Sequence, residues 1–177
     1  MIHKMIERQL FMTTYDYDVI YIGSGHAANH GALKLVKQGK KVAFVEGDKL
    51  GGTCTNYGCD AKLLLDGAFQ VLEDVQNFQA AGLKGTPVLE WDKLMAYKHQ
   101  VIDAFPKLMG QIIPKAGIKI YPGYGSFVDS HTIHVNDETI TAENIVIATG
   151  QRDSTLPIPG NEFIHNSKDF LDLEQLP

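Results

Sequence analysis

Tyr17-Asp18-Val19-Ile20-Tyr21-Ile22-Gly23-Ser24-Gly25-His26-Ala27-Ala28 runs from an apolar segment straight into a glycine-rich turn. A short apolar run that stops abruptly at glycine reads as a buried parallel strand, Tyr17–Ile22. Beyond the turn, Ala28, Ala32, Leu33, Leu35 and Val36 recur at helical spacing between His26 and Gln38, and Gly39 ends the pattern. Lys41–Val45 is a second apolar run. Strand, helix and strand within about thirty residues require a right-handed crossover and a parallel sheet.

The turn fits G-x-G-x-x-A. Gly23 permits the sharp bend, Gly25 lets a pyrophosphate approach the backbone, and the small Ala28 lets the helix pack close to the strand. The amides of His26 and Ala27 then open a helix whose N-terminus favours an anion. Glu46 follows Ala28 by eighteen residues, at the end of the second strand. A carboxylate there can accept the hydroxyls of an adenosine ribose and disfavours a 2′-phosphate. His26 reads as a solvated or capping residue beside the phosphates, not as a catalytic base.

The second informative stretch is Gly51-Gly52-Thr53-Cys54-Thr55-Asn56-Tyr57-Gly58-Cys59-Asp60-Ala61-Lys62, a glycine-rich turn carrying both cysteines of the chain. Two cysteines five positions apart are too few for a secreted disulfide scaffold. In a reducing compartment such a pair is redox-active or metal-binding more often than structural, and no ligand-spaced Cys or His accompanies it, so no metal is expected. Five residues of ideal helix rise about 7.5 Å, more than the roughly 7 Å limit between bridged Cα atoms. A Cys54–Cys59 bridge therefore needs a distorted first turn, for which Gly51, Gly52 and Gly58 supply the freedom. So short a loop staples a fold weakly. A helix N-terminus with Lys62 one turn beyond Cys59 suits thiolate chemistry better.

The remainder is organised simply. Ala61 to about Ala81 is helical by its spacing. Leu89 to about Ile113 is a further helix in which Pro106 and Gly110 predict a kink or break. Ile118–Tyr121, Tyr124–Val128, Thr132–Val135 and Glu138–Thr141 read as an antiparallel meander. Ile145–Ile147 reads as a separate buried strand, followed by Ala148-Thr149-Gly150. Residues 1–14 are expected to be an N-terminal extension, 15–150 one domain, and 151–177 an extended tail with one short helix. The 177 residues, 44% hydrophobic and 21% charged with a net charge of −5, describe an ordinary globular chain. They give no basic field for nucleic acid, no membrane span and no secretory signal. The expected location is the cytoplasm. His99, His131, His134 and His165 read as surface residues.

Gly51–Cys59, in the form Gly-Gly-Thr-Cys-x-Asn-x-Gly-Cys, resembles the redox-disulfide signature of the pyridine nucleotide–disulfide oxidoreductases, the family of glutathione reductase and dihydrolipoamide dehydrogenase. The nucleotide turn, Glu46 and Ala148-Thr149-Gly150 follow that family's order from about Tyr15 to Pro177. The resemblance implies an α/β, Rossmann-like FAD/NAD(P)-binding fold: a parallel sheet with helices plus an antiparallel β-meander. It implies FAD as cofactor and NAD(P)H as electron donor in the full-length parent. Cys54 would attack the substrate disulfide, Cys59 would lie against the flavin ring, and Lys62 would sit near the reactive flavin nitrogen. Gly23, Gly25, His26, Ala27 and Ala28 would hold the pyrophosphate, and Glu46 and Gly47 the ribose. Gly52, Thr53 and Gly58 would line the redox loop. Tyr124 and Gly125 would present backbone to the adenine, and Ala148, Thr149 and Gly150 would close over the cofactor.

Two departures stand out. Asp60-Ala61 follows the second cysteine where relatives commonly carry an apolar residue and proline, and an acid there could raise the thiol pKa. No second G-x-G-x-x-G occurs, so the NAD(P)H and dimer-interface domains are expected to be absent from this chain. That predicts a truncated chain, a proteolytic product or an interrupted gene, inactive alone, from a homodimeric parent acting on a small-molecule or protein disulfide. The alternatives are a stand-alone flavin module served by a partner chain, a dihydrolipoamide dehydrogenase fragment, a mercuric-reductase-like activity, and a non-enzymatic fragment.

Overall fold

A computed structural model describes residues 14–176; apart from Thr14, the expected N-terminal extension lies outside them. Strand β1 (Tyr17–Ile22) leads into helix α1 (His26–Lys37) and strand β2 (Val42–Glu46). Val19 to Ile22 pair in parallel register with Val42 to Val45. β1 and β2 are nearly solid apolar sequence because both their faces are covered. On one face Val19, Tyr21, Val42 and Phe44 pack with Ala28 and Ala32 of α1. On the other, Ile20, Ile22, Ala43 and Val45 meet Tyr121, Ile133, Val135, Ile140 and Ala142. The two alanines let α1 sit close to the sheet, and truncating the fully buried Phe44 would cost about 3–5 kcal/mol.

The sheet has six strands, adding β3 (Ile118–Pro122), β4 (Gly125–Asp129), β5 (Thr132–Val135) and β6 (Glu138–Ile147), in the order β3-β2-β1-β6-β5-β4. Three sequence expectations are corrected here. Ile118–Tyr121 is not a meander strand: it pairs in parallel with β2, Val42 against Ile118 through Glu46 against Pro122. Its apolar alternation cannot report direction; the helix before it does. Glu138–Thr141 and Ile145–Ile147 are not separate strands but the two ends of β6. Its first part pairs antiparallel with β5, and from Ala142 onward it pairs parallel with β1. Val146 and Ile147, expected to be buried, are exposed. β4, β5 and the start of β6 do form the expected antiparallel meander.

Between β2 and β3 lie α2 (Gly52–Tyr57), α3 (Cys59–Phe78), α4 (Trp91–Ile102) and α5 (Ala104–Lys115). The Gly51–Cys59 stretch is thus mostly helical and not a plain turn. The predicted break in the 89–113 helix falls at Asp103, not at Pro106 or Gly110. Pro106 stands at the third position of α5, where no intrahelical acceptor needs its missing N–H.

The tail is anchored, which its composition did not suggest. Asn166 caps α6 (Ser167–Leu171) in a reciprocal capping box with Asp169. The buried Lys98 ammonium donates to the Leu171 carbonyl at 3.0 Å and to the Asp172 carboxylate. Trp91 Nε1 donates to the Leu173 carbonyl at 2.8 Å. No helix among the described residues is long and apolar enough to cross a membrane.

Candidate nucleotide and redox site

The end of β1, the end of β2 and the start of α2 converge at the carboxyl ends of the central strands. Gly23 takes φ +108°, and a Cβ on it would collide with the Ala148 carbonyl. Ala148 N donates in turn to the Ile22 carbonyl at 2.9 Å, so Ala148 lies against the turn, with Thr149 and Gly150 exposed just beyond. Gly25 precedes α1 as its N-cap, with no side chain capping the helix and no acidic residue in its first turn. Its first amides, His26 and Ala27, have no intrahelical acceptor. His26 is exposed and packs edge-on against His30, with ring centroids 5.7 Å apart.

Glu46 reaches back to this turn. Its Oε2 accepts from Ser24 N at 2.8 Å and from Ser24 Oγ at 2.6 Å, and its Oε1 accepts from Asp48 N at 2.9 Å. Gly123 N donates to the Glu46 carbonyl at 2.7 Å, which brings the β3–β4 turn alongside. The Tyr124 ring lies over Gly47, where any Cβ would meet it, and is itself 80% exposed. Gly125 packs beneath, against Ile133 and Val45. The acid, Gly47, Tyr124 and Gly125 therefore share one rim.

The cysteines sit on two helices. α2 ends at Gly58 (φ −149°, ψ −111°), and α3 restarts at Cys59. That break brings the Cα atoms of Cys54 and Cys59 to 4.7 Å, and the two residues form a disulfide. The distortion expected from helical rise is thus a full interruption. Cys54 is half-buried and Cys59 exposed; Thr53 and Lys62 are exposed, Lys62 one turn into α3. Gly52, in the left-handed region at φ +70°, faces Gly25, so the disulfide loop and the glycine turn abut.

Composition and spacing overlooked four residues. Ser24, the variable position between two glycines, is fully buried. Asn56 is buried between the cysteines, and its Nδ2 donates to the carbonyls of Leu50 at 2.9 Å and Gly52 at 3.0 Å, pinning the entry to α2. An asparagine beside a glycine turn is a residue that bonds local backbone, and this was the available signal. Tyr57 donates to Asp48 Oδ1 at 3.1 Å while the Lys168 ammonium lies 4.3 Å over its ring. Burial, with the Asp48 charge second, pushes its phenol up to about 12. Lys98 had no sequence signal at all. Among the described residues no cluster of three or more His, Cys, Asp or Glu side chains could hold a metal.

The family model for pyridine nucleotide-disulphide oxidoreductase matches residues 17–177. A dihydrolipoyl dehydrogenase of Acholeplasma laidlawii is 28% identical over 171 residues, 92% of this chain and 51% of that protein. A glutathione reductase of Nostoc is 30% identical over 167 residues, covering 93% and 36%. A mercuric reductase of Staphylococcus aureus is 34% identical over 166 residues, covering 92% and 30%. The chain spans about half the length of these relatives or less. Members of the family bind FAD and use NAD(P)H. With the glycine turn, the acid and the disulfide gathered at the carboxyl ends of the central strands of a Rossmann-like sheet, the chain belongs to the pyridine nucleotide-disulphide oxidoreductases.

Proposed function

We infer that this chain is the FAD-binding portion of an NAD(P)H-dependent disulfide reductase of the glutathione reductase kind. One observation carries the reading: the uncapped helix end at Gly25 and the entry to the Cys54–Cys59 helix are in backbone contact through Gly52. A pyrophosphate on that helix end would hold its cofactor beside the disulfide.

The residues present fit FAD. The amides of His26 and Ala27 suit the pyrophosphate, Glu46 keeps a lone pair on Oε1 for a ribose hydroxyl, and the rim of Gly47, Tyr124 and Gly125 suits the adenine. Bound there, FAD would supply two-electron transfer between the nicotinamide and the protein disulfide. The chain's own residues carry the exchange chemistry. Two electrons and two protons reduce Cys54–Cys59 to a dithiol. The Cys54 thiolate then attacks a substrate sulfur, forming a mixed disulfide and releasing one substrate thiol. The Cys59 thiolate attacks Cys54, restoring the disulfide and releasing the second thiol. Lys62 and the N-terminus of α3 favour the thiolate form of Cys59.

In this reading turnover requires a nicotinamide-binding unit and a proton donor beyond these residues, and the 177-residue chain alone does not turn over. The active assembly is a cytoplasmic homodimer acting on a small-molecule or protein disulfide, with no nucleic-acid or membrane partner.

The test is a visible absorption spectrum of the purified chain with added FAD, repeated after stoichiometric dithionite. Bound flavin with a long-wavelength band on two-electron reduction supports the reading. No flavin binding at a large excess of FAD overturns it. Steady NAD(P)H oxidation coupled to disulfide reduction by the chain alone would refute the proposed dependence on further domains.

A further inference from the structure

Ser24 occupies the variable position of the phosphate turn, yet no part of it is exposed and every polar atom it has is engaged. Its amide and its hydroxyl both meet Glu46 Oε2, its carbonyl accepts from Asn29 Nδ2, and its Oγ accepts from Gly51 N at 3.2 Å. The Gly51 contact settles which way the hydroxyl points. With Gly51 N donating to Oγ, the hydroxyl hydrogen is left for the carboxylate.

That arrangement has a consequence for Glu46. An ionised carboxylate has about four acceptor sites. Ser24 uses both sites of Oε2 and Asp48 N one site of Oε1, so the remaining lone pair is on Oε1. The side chain is thereby held in one rotamer with a single open acceptor.

The geometry points to Ser24 as a positioning residue for nucleotide recognition: its buried hydroxyl fixes the Glu46 carboxylate so that Oε1 meets a ribose hydroxyl. This rests on the FAD reading above and adds to it the residue that makes the acid selective. Ser24 itself touches no ligand; it acts through Glu46.

The probes are ADP and 2′,3′-dideoxy-ADP, titrated calorimetrically against the 177-residue chain, Ser24→Ala, Glu46→Ala and the double variant. Trp91 emission and the Cys54–Cys59 disulfide content verify that each variant is folded. Ser24→Gly removes the same oxygen and replaces Ser24→Ala where the latter does not fold. The unsubstituted chain should prefer ADP by about tenfold or more, the effect of one charge-assisted hydrogen bond. Ser24→Ala should lower that ratio at least threefold while the dideoxy nucleotide binds nearly as before. In the Glu46→Ala background, Ser24→Ala should leave the ratio unchanged. Equal weakening of both nucleotides by Ser24→Ala, or an unaltered ratio, overturns the positioning role and leaves the FAD reading standing. Failure of both nucleotides and FAD to bind the unsubstituted chain overturns the FAD reading, and this inference with it.

Discussion

A Cβ on Gly52 would stand 2.8 Å from the Cα of Gly25, closer than real side chains approach backbone. The turn that would hold phosphates and the loop that holds the disulfide are thus separated by nothing but two glycine backbones. Gly52→Ala must either move the loop or open the turn, and its left-handed φ adds about 1–2 kcal/mol of strain. We expect a melting temperature at least about 4 °C lower. FAD affinity should fall at least tenfold, read by quenching of flavin fluorescence. A variant that melts and binds as the unsubstituted chain would show that the contact is soft.

The disulfide closes a short loop, and its contribution to stability is correspondingly limited. Cys54 and Cys59 are five positions apart, for which chain entropy gives about 2 kcal/mol. Cys59→Ser should therefore leave a folded chain that unfolds at modestly lower urea. A loss of all cooperative unfolding would mean that the pair is a structural staple after all.

Lys98 is a buried cation whose partners lie more than seventy residues away. Lys98→Met keeps most of the volume and removes the donor. Because Asp172 is largely exposed, its charge can return to water. The expected result is local release of the C-terminal segment at a cost of about 1.5–3 kcal/mol. Trp91 is the sole tryptophan and bonds the same segment, so its emission should shift to the red. Limited proteolysis should then cut between residues 151 and 176. An unchanged spectrum and digestion pattern would refute the anchor.

Two groups of ionisable side chains set opposite pH limits. The Thr141 hydroxyl and amide hold Asp16 below the usual carboxylate range, and Lys40 with the Lys41 amide does so for Asp18. A depressed folded pKa adds stability above the unfolded value near 4 and loses it as pH falls through the folded one. Asp18→Asn should flatten the acid limb of stability below about pH 4. Tyr57 works in the other direction. Its phenol is raised to about 12, so its contribution is complete below about pH 10 and lost as pH rises from 10 to 12. Tyr57→Phe should reduce the alkaline loss of stability, and the phenolate absorbance of the unsubstituted chain should show Tyr57, together with Tyr17 and Tyr21, titrating above the usual range near pH 10.

The sequence disclosed what is local and repetitive. The strand–turn–helix–strand unit and the acid that ends β2 were legible because each short segment has one physical use for its residues. The partner of a strand was less legible. Ile118–Tyr121 alternates apolar and polar residues alike beside a parallel or an antiparallel neighbour. The Asp103 break was hidden because proline signals a helix's first turn as well as its interruption. Ser24, Asn56 and Lys98 were missed for one reason: each acts through bonds to backbone or side chains that the fold brings close. A serine in a glycine turn looks inert until the acid twenty-two positions later is seen to bend back onto it.

β6 changes allegiance along its length, ending its antiparallel pairing at Thr141 and beginning its parallel pairing with β1 at Ala142. The hairpin layer and the crossover layer are therefore joined by one unbroken strand, whose two halves bond to different neighbours. Amide hydrogens of β5, next to the edge strand β4, should exchange faster than those of β1, which lies between β2 and β6 in the middle of the sheet. At its far end β6 delivers Ala148 against the Gly23 turn, so the hairpin layer and the turn share one backbone.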